Sequence, residues 1–266
     1  MNNIGFKIEN CNSEKNLKYI EEVLNYLKTH IYTPIEFGIV CYSSKPRTKE
    51  IDSIIVQKVK EANFQKLNVH LSIDKKILNI AMDSEIEWIQ YWKNEFKLYE
   101  ELNVKYFVIH VTSKEKKLYD EKIQFENILH NIKILQSLTN IPFYMENTYE
   151  DIYYYKRLYE FLLKNNVKIN FTCDIGHLKV HSKENKNEWL YFLEYLDLNN
   201  IKLHFHIHDN DGSYDQHLPL NQIQDIETIN FVKTLLKKYE TSSFIMENRI
   251  FDFCSCLKEK ELLICN

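Results

Sequence analysis

The chain has 266 residues, of which 44% are hydrophobic and 27% charged, and its formal net charge is −4. This is the composition of an ordinary globular protein, and the slightly acidic balance provides no general attraction for nucleic acid. No apolar run approaches the roughly 20 residues of a membrane-spanning helix, and the first residues lack the basic and apolar regions of a signal peptide. We therefore expect a cytoplasmic protein that does not contact a membrane.

Scarce glycine and unpaired cysteines narrow the kinds of site that the chain can form. Only four glycines occur, and neither glycine-rich phosphate-binding motif, GxGxxG or GxxxxGK[ST], is present. The six cysteines form no CxxC pair, so we expect reduced thiols rather than a disulfide framework. These features exclude nucleotide binding by the familiar glycine-rich loops.

Short β-rich runs alternate with longer amphipathic stretches along the whole chain. Eight runs have the character of buried strands, at residues 4–8, 35–40, 67–73, 105–111, 141–147, 168–175, 202–208 and 243–248. Between them, apolar residues recur at intervals of three and four, which predicts helices, most clearly at residues 16–28, 86–102, 125–138 and 231–239.

This alternation predicts parallel strands connected by right-handed crossovers. Eight such units in a chain of this length fit a closed (β/α)8 barrel, a TIM barrel, better than an open doubly wound sheet, which usually has a glycine-rich first turn. No linker or low-complexity segment divides the sequence. We predict an α/β protein with one barrel domain over residues 1–266 and an active site at the C-terminal mouth of the barrel.

Eight of the ten histidines lie on or just after the predicted strands, and five carboxylates accompany them. The residues are His70, His110, His177, His181, His204, His206, His208, His217, Glu146, Asp174, Asp209, Asp215 and Glu247. A single histidine at a strand end is usually a hydrogen-bonded structural residue. So many imidazoles and carboxylates around one mouth, however, are costly to bury unless cations compensate them. We predict a site for one to three divalent ions, Zn²⁺, Mn²⁺ or Co²⁺.

Two local patterns add geometry to this prediction. His204, His206 and His208 alternate along one strand and therefore point to the same face. The outermost can reach the mouth, and the deeper ones would be a ligand and its support, whereas the alternative is a hydrogen-bonded stack in the core. Asp215 and His217 offer two ligands from a single loop.

Two candidate residues also have a structural alternative. Asp174, three residues before His177, can serve as a ligand or can cap the helix that follows it. Arg249, just past Glu247, can bind a substrate phosphate or carboxylate, or it can pair with Asp252.

The segment HIHDNDG followed by DQHLPL (206–220), together with CDIGH, YMEN and IMEN, resembles the xylose isomerase-like superfamily of metal-dependent barrels. This superfamily includes sugar-phosphate isomerases and epimerases, and also DNA repair enzymes of the endonuclease IV type. The resemblance extends over nearly the whole chain, because the motifs fall at the ends of successive predicted strands.

Resemblance to the sugar epimerases implies one metal held by four side chains, Glu146, Asp174, His206 and Glu247. Glu146 and Glu247 would also be the catalytic residues, which move a proton as base and acid on opposite faces of the substrate. The substrate-binding residues would be His177, His208 and Arg249.

Resemblance to endonuclease IV implies three zinc ions held by nine ligands. All nine have matching residue types here: His70, His110, Glu146, Asp174, His177, His206, Asp215, His217 and Glu247. The flanking residues depart from the repair enzymes, because Ile-Gly follows Asp174 and IHDND follows His206. The most basic loop, residues 42–50, we interpret as a solvated turn.

We therefore expect a metal-dependent isomerase or epimerase that acts on a small sugar-like molecule. The alternative is a zinc-dependent phosphodiesterase that acts at abasic sites, which is the only case in which nucleic acid is a partner. The sequence does not exclude a homo-oligomer.

Overall fold

The computed structural model describes residues 3–9, 13–38, 49–62, 65–71, 81, 86–99, 102–111, 120–181, 186–249 and 252–265. The ends of the second and third predicted strands (39–40 and 72–73) and most of the basic loop (42–48) lie outside the described residues.

Strands and helices alternate as the sequence predicts. The strands are β1 (Ile4–Glu9), β2 (Ile35–Gly38), β3 (Leu67–His70), β4 (Val104–His110), β5 (Phe143–Glu146), β6 (Asn170–Asp174), β7 (Leu203–Ile207) and β8 (Ser243–Met246). The helices are α1 (Glu14–Leu27), α2 (Lys49–Ala62), α3 (Ile86–Tyr99), α4 (Glu121–Leu138), α5 (Ile152–Lys164), α6 (Ile175–His181), α7 (Lys186–Leu198), α8 (Leu220–Ile223), α9 (Ile226–Lys238) and α10 (Phe253–Ile264).

The eight strands form one closed barrel in chain order, and every neighbouring pair is parallel. This confirms the predicted (β/α)8 architecture. The register places His110 beside Glu146 and Asp174 beside His206, so candidate ligands of adjacent strands are neighbours. None of the described helices is long and apolar enough to cross a bilayer.

The main hydrophobic core lies between the barrel and the surrounding helices. Phe107 and Phe171 point outward from their strands and are fully buried, where they contact Tyr99 of α3 and Phe192 of α7. Because side chains alternate along a strand, only one face of each strand supplies this core.

The other face of the strands lines a polar barrel interior. Lys7, Glu36, Asn68, Thr172 and His204 are all buried there, whereas most barrels of this kind have branched apolar residues at such positions. Burying polar groups costs free energy unless they are paired. The interior is therefore a hydrogen-bonded scaffold on which the mouth residues rest.

Side-chain caps determine where several helices begin. The carboxylate of Asp120 accepts the backbone N–H of Ile123 at the start of α4, and Asp225 accepts that of Glu227 at the start of α9. The cap at Asp225 explains why α9 begins earlier than the predicted helix at 231–239.

Candidate metal centre

The structure brings the predicted ligands together past the C-terminal ends of the strands. Glu146 ends β5, Asp174 ends β6, His206 is the penultimate residue of β7, and Glu247 follows β8. All four are buried. Parallel strands of a closed barrel end at the same rim, which is why residues far apart in the sequence converge there.

His70, His110 and Glu146 form what we call the first group. Nε2 of His70 lies 2.8 Å from Oε2 of Glu146, and Nε2 of His110 lies 3.4 Å from the same oxygen. The three side chains come from the ends of adjacent strands, β3, β4 and β5. Their donor atoms lie within 4.8 Å of one another, as the ligands of one ion do.

Glu146, Asp174, His206 and Glu247 form the central group. Nδ1 of His206 lies 2.8 Å from Oε2 of Glu247, 3.5 Å from Oε1 of Glu146 and 3.7 Å from Oδ2 of Asp174. Glu146 thus belongs to two groups, with Oε2 facing the first group and Oε1 facing the central group.

The third group consists of His177, His208, Asp215 and His217. Nε2 of His217 and Nε2 of His177 lie 2.7 and 3.4 Å from Oδ2 of Asp215, and Nδ1 of His208 lies 3.7 Å from Oδ1. His217 has a left-handed φ of 50°. Such a backbone conformation is uncommon for a residue with a side chain and is found preferentially at functional sites.

The loop that carries Asp215 and His217 is closed at its base. Asp209 and Leu218 exchange two backbone hydrogen bonds of 2.7 and 2.9 Å. The Lys179 ammonium on α6 lies 2.8 Å from the Asp209 carboxylate and 2.9 Å from that of Asp225. These contacts fix the third group against the helix that carries His177.

Backbone carbonyls orient three of the histidines toward the groups. Nδ1 lies 3.1, 2.8 and 3.0 Å from a carbonyl oxygen in His70, His177 and His217, the acceptors being Leu71, Asn147 and Glu247. With its hydrogen on Nδ1, each ring presents the lone pair of Nε2 to its donor group. This is how ligand histidines are usually prepared for a metal.

Several buried polar atoms of the central and third groups have no hydrogen-bond partner in the part of the chain that the structure describes. Nδ1 of His206, Oε2 of Glu247, Nδ1 of His208 and Oδ1 of Asp215 are buried and have no hydrogen-bond partner among the described residues. Each such atom costs about 1–3 kcal/mol when it is left unpaired. Nitrogen and carboxylate donors of this kind suit Zn²⁺, Mn²⁺ or Co²⁺, so the residues fit divalent ions.

The pKa shifts of the candidate ligands also favour a cation site. Burial raises the pKa of Glu247, but the Lys7 ammonium together with His206 and His217 outweighs burial and holds this pKa well below its ordinary range. Burial lowers the pKa of His177, but Asp174 and Asp215 raise it to about 10. Without ions the carboxylates raise the pKa of His177, His206 and His208 and so favour their protonated forms, and a cation that binds to these rings displaces protons.

The three alternating histidines of β7 and its end lie at different depths. His206 belongs to the central group, and His204 lies deeper, with Nε2 3.0 Å from Oε2 of Glu36. His208 lies nearer the mouth, where its Nε2 contacts the Asp174 carboxylate and its ring stacks on His217 at 4.0 Å.

Asp174 was expected to be a ligand or a helix cap, and Arg249 a substrate contact or the partner of Asp252. Oδ1 of Asp174 accepts the backbone N–H of His177 at 2.7 Å, so Asp174 caps α6 while Oδ2 faces the central group. Asp252 instead caps α10, and within the described part of the chain it forms no ion pair with Arg249. Arg249 is exposed beside the third group, and its backbone N–H donates to the carbonyl of His217.

Sequence analysis missed four residues that support the site: Lys7, Glu36, Asn147 and Asn248. Asn147 exchanges two hydrogen bonds with the backbone of Asp174, of 2.9 and 2.7 Å. Asn248 donates to the buried carboxylate of Glu259 on α10. The two asparagines could have been found from the repeated motif MEN, in which an asparagine follows each candidate glutamate.

No protein-family model matches the chain. A curated relative, the uncharacterized protein MJ1614 of Methanocaldococcus jannaschii, is 30% identical over 139 residues, which cover 49% of this chain and 52% of the relative. The chain thus spans, in this match, about half the length of the curated relative.

Solved structures share the fold over nearly the whole chain. The TTHB071 protein of Thermus thermophilus, soaked with zinc chloride, has a TM-score of 0.64 and 18% identity, with 98% of this chain and 97% of that chain covered. A D-tagatose 3-epimerase-like protein has a TM-score of 0.63 and 18% identity, with 97% and 95% covered. Endonuclease IV of Thermus thermophilus has a TM-score of 0.59 and 14% identity, with 98% and 97% covered. The chain therefore has the fold of the xylose isomerase-like barrels, the superfamily that its motifs resemble.

Proposed function

We propose that the protein is a metal-dependent hydrolase of phosphate esters that works with about three divalent ions, as endonuclease IV does. The observation that carries this proposal is the distribution of the nine predicted ligands over three donor groups. In each group the donor atoms lie within 4.8 Å of one another.

Bound divalent ions would supply positive charge to phosphate oxygens and make water more acidic, as phosphodiester cleavage requires. The chain's own contribution is to hold the donors in place. The carbonyls of Leu71, Asn147 and Glu247 fix three imidazoles. Burial of the carboxylates limits the access of bulk water, which strengthens every charge interaction in the site.

The two oxygens of each glutamate face different partners. Oε1 of Glu247 pairs with the Lys7 ammonium, and Oε2 faces His206. Oε2 of Glu146 faces His70, and Oε1 faces the central group. A carboxylate that faces two donor groups can serve two ions at once, which a site with several ions requires and a site with one ion does not. The position of Glu146 therefore supports ester hydrolysis over epimerisation.

A sugar isomerase or epimerase is the second candidate. The central group alone provides the two glutamates, the aspartate and the histidine that hold one ion in sugar epimerases. One structural neighbour is a D-tagatose 3-epimerase-like protein. In this case Glu146 and Glu247 would transfer the proton, and the substrate would be a small sugar-like molecule.

Arg249 is our proposed contact for the charged part of either substrate. It is exposed at the mouth and tied through its backbone to His217, and a guanidinium suits a phosphate or carboxylate. His177 and His208 would contact the remaining substrate oxygens. For the hydrolase we propose a DNA duplex with an abasic site as the first substrate, and nucleic acid is a partner only in that case.

The test combines metal analysis with two assays. Protein purified without a tag or chelator is expected to carry about three ions per chain and to cleave an abasic-site duplex or a bis(p-nitrophenyl) phosphate. About one ion per chain, together with deuterium uptake from heavy water into a sugar, would contradict the hydrolase and support the epimerase.

His217→Ala is the matched variant for these assays. His217 belongs to the third group and not to the central one. We therefore expect its loss to abolish ester cleavage by the hydrolase. An epimerase that uses one ion in the central group would retain deuterium exchange in this variant.

A further inference from the structure

Beneath the central group, polar side chains form a column along the inside of the barrel. Nδ2 of Asn68 donates to Oη of Tyr106 at 2.7 Å, and this Oη lies 2.8 Å from Nδ1 of His204. Nε2 of His204 lies 3.0 Å from Oε2 of Glu36, and Nε2 of His206 lies 3.0 Å from Oε1. The Glu36 carboxylate, fully buried, thus lies between two imidazoles.

The balance of donors and acceptors assigns the hydrogens when both rings are neutral. Because a carboxylate only accepts, neutral His204 has its hydrogen on Nε2 and donates to Glu36, so its Nδ1 accepts the hydroxyl hydrogen of Tyr106. The second carboxylate oxygen lies 3.0 Å from Nε2 of His206 in an ion-pair contact that lacks the geometry of a hydrogen bond. A hydrogen on this Nε2, facing the carboxylate, leaves the lone pair of Nδ1 directed at the central group.

His206 differs in the support of its ring from three of the other donor histidines. In His70, His177 and His217 a backbone carbonyl accepts from Nδ1 and leaves Nε2 for the site. His206 projects into the barrel from within β7, whose backbone pairs with β6 on one side and β8 on the other. The strand carbonyls are engaged in these sheets, so the orientation of this ring depends on a side chain.

We infer that Glu36 is a positioning residue, which holds the His206 ring with Nδ1 rather than Nε2 toward the central group. The inference rests on the proposed metal centre, in which His206 is a ligand. A carboxylate behind a ligand histidine fixes the tautomer and raises the basicity of the ring, and its loss typically costs about 10–100-fold in metal affinity. The donor atoms of Glu36, His204 and His206 also lie within 4.8 Å of one another, but hydrogens on the two ring nitrogens that face Glu36 leave these nitrogens no lone pair for an ion.

Two substitutions of Glu36 distinguish the effect of its position from the effect of its charge. Glu36→Gln removes the charge, and Glu36→Asp keeps the charge but shortens the side chain so that it no longer reaches His206. We expect both variants to bind the ion of the central group about 10–100-fold more weakly and to lose it to a chelator concentration that the wild type withstands. Tyr106→Phe leaves both contacts of Glu36 in place and is the matched control, expected within about twofold of the wild type.

The outcomes are distinguishable from failure of the proposed function. A wild-type chain that binds no ion overturns the metal centre and this inference together. If the wild type binds ions and Glu36→Asp keeps wild-type affinity, only the positioning role is overturned. Circular dichroism of the metal-free variants establishes that they fold.

A second measurement needs no substitution at Glu36. In ¹⁵N spectra of the zinc-loaded wild type, we expect the histidine whose signals are missing in His206→Gln to have hydrogen on Nε2 and zinc on Nδ1. His70, His177 and His217 should show the opposite pattern. A His206 ring bound through Nε2 would overturn the inference.

Discussion

The ammonium of Lys7 and the carboxylate of Glu247 form an ion pair inside the barrel, across the seam where the first and last strands pair. Their side chains are only 7% and 8% exposed. Gly38 on β2 leaves room for this lysine, since a Cβ there would lie 2.6 Å from Cε of Lys7. Lys7 therefore takes one oxygen of Glu247 and leaves the other for the central group.

Replacing Lys7 with methionine should destabilise the metal-free protein by about 3–5 kcal/mol, because the Glu247 carboxylate stays buried without a partner. Bound zinc compensates that charge, so the loss should be smaller in the zinc-loaded protein. Urea unfolding in EDTA and in zinc measures both values. Equal losses in the two conditions would contradict a cation next to Glu247.

Lys58→Met is the matched control for this experiment. Lys58 pairs with Glu21 at 3.2 Å on the surface, where the two side chains are 34% and 62% exposed. An exposed pair contributes about 0–1 kcal/mol. The control should therefore lose little stability, and zinc should not change that loss.

Glu146 belongs to both the first and the central group. This predicts how many ions each ligand substitution removes. His110→Ala affects only ligands of the first group and His217→Ala only those of the third, so each should lower the metal content by about one ion per chain. Glu146→Gln affects two groups and should remove about two ions. Elemental analysis of the purified variants measures this, with His30→Ala, an exposed histidine away from the mouth, as the control. Identical metal contents in His110→Ala and Glu146→Gln would show that Glu146 serves one ion only.

The barrel and the convergence of the candidate ligands at its mouth were predictable because they depend on local features. Strand–helix alternation gives the architecture, and a residue at the end of a parallel strand is at the mouth whatever its register. Lys7 and Glu36 were not predictable in this way. Each is a single charged residue in an apolar strand run, and its role follows from barrel closure and from the register that places Lys7 beside Glu36.

The contacts of His208 also lay beyond sequence reasoning. Its alternation with His206 predicts the face on which it lies but not its partners. In the structure its ring is fully buried between Asp174 and His217. Only the fold shows that Gly176, the second residue of α6, faces this ring, so that helix and ring can approach.

Gly176→Ala tests this close approach. A Cβ at Gly176 would lie 1.9 Å from Cε1 of His208, so the ring or α6, which carries His177, must shift. We expect a loss of about 1–3 kcal/mol in the free energy of unfolding and weaker metal binding in the third group. Urea unfolding and chelator competition measure the two effects.

Gly212→Ala is the control for that substitution. A Cβ there meets nothing within 4 Å, although φ is +83°. The cost should come from backbone strain alone, about 1–2 kcal/mol, with unchanged metal binding. If Gly176→Ala also left metal binding unchanged, the contact between α6 and His208 would not matter for the third group.

The raised pKa of His177 predicts how the metal-free protein responds to alkaline pH. Burial lowers this pKa, but Asp174 and Asp215 raise it to about 10 from 6.5. The stabilising contribution of the imidazolium is therefore fully present below the ordinary value and is lost as the pH rises through about 10. In EDTA, the urea midpoint of the wild type should fall more between pH 7 and about 10.5 than that of His177→Gln, whose side chain does not titrate. Zinc-loaded wild type should lack this extra dependence, because a ligand histidine has already lost its proton. Parallel pH profiles of wild type and variant in EDTA would mean that His177 is neutral in the metal-free site.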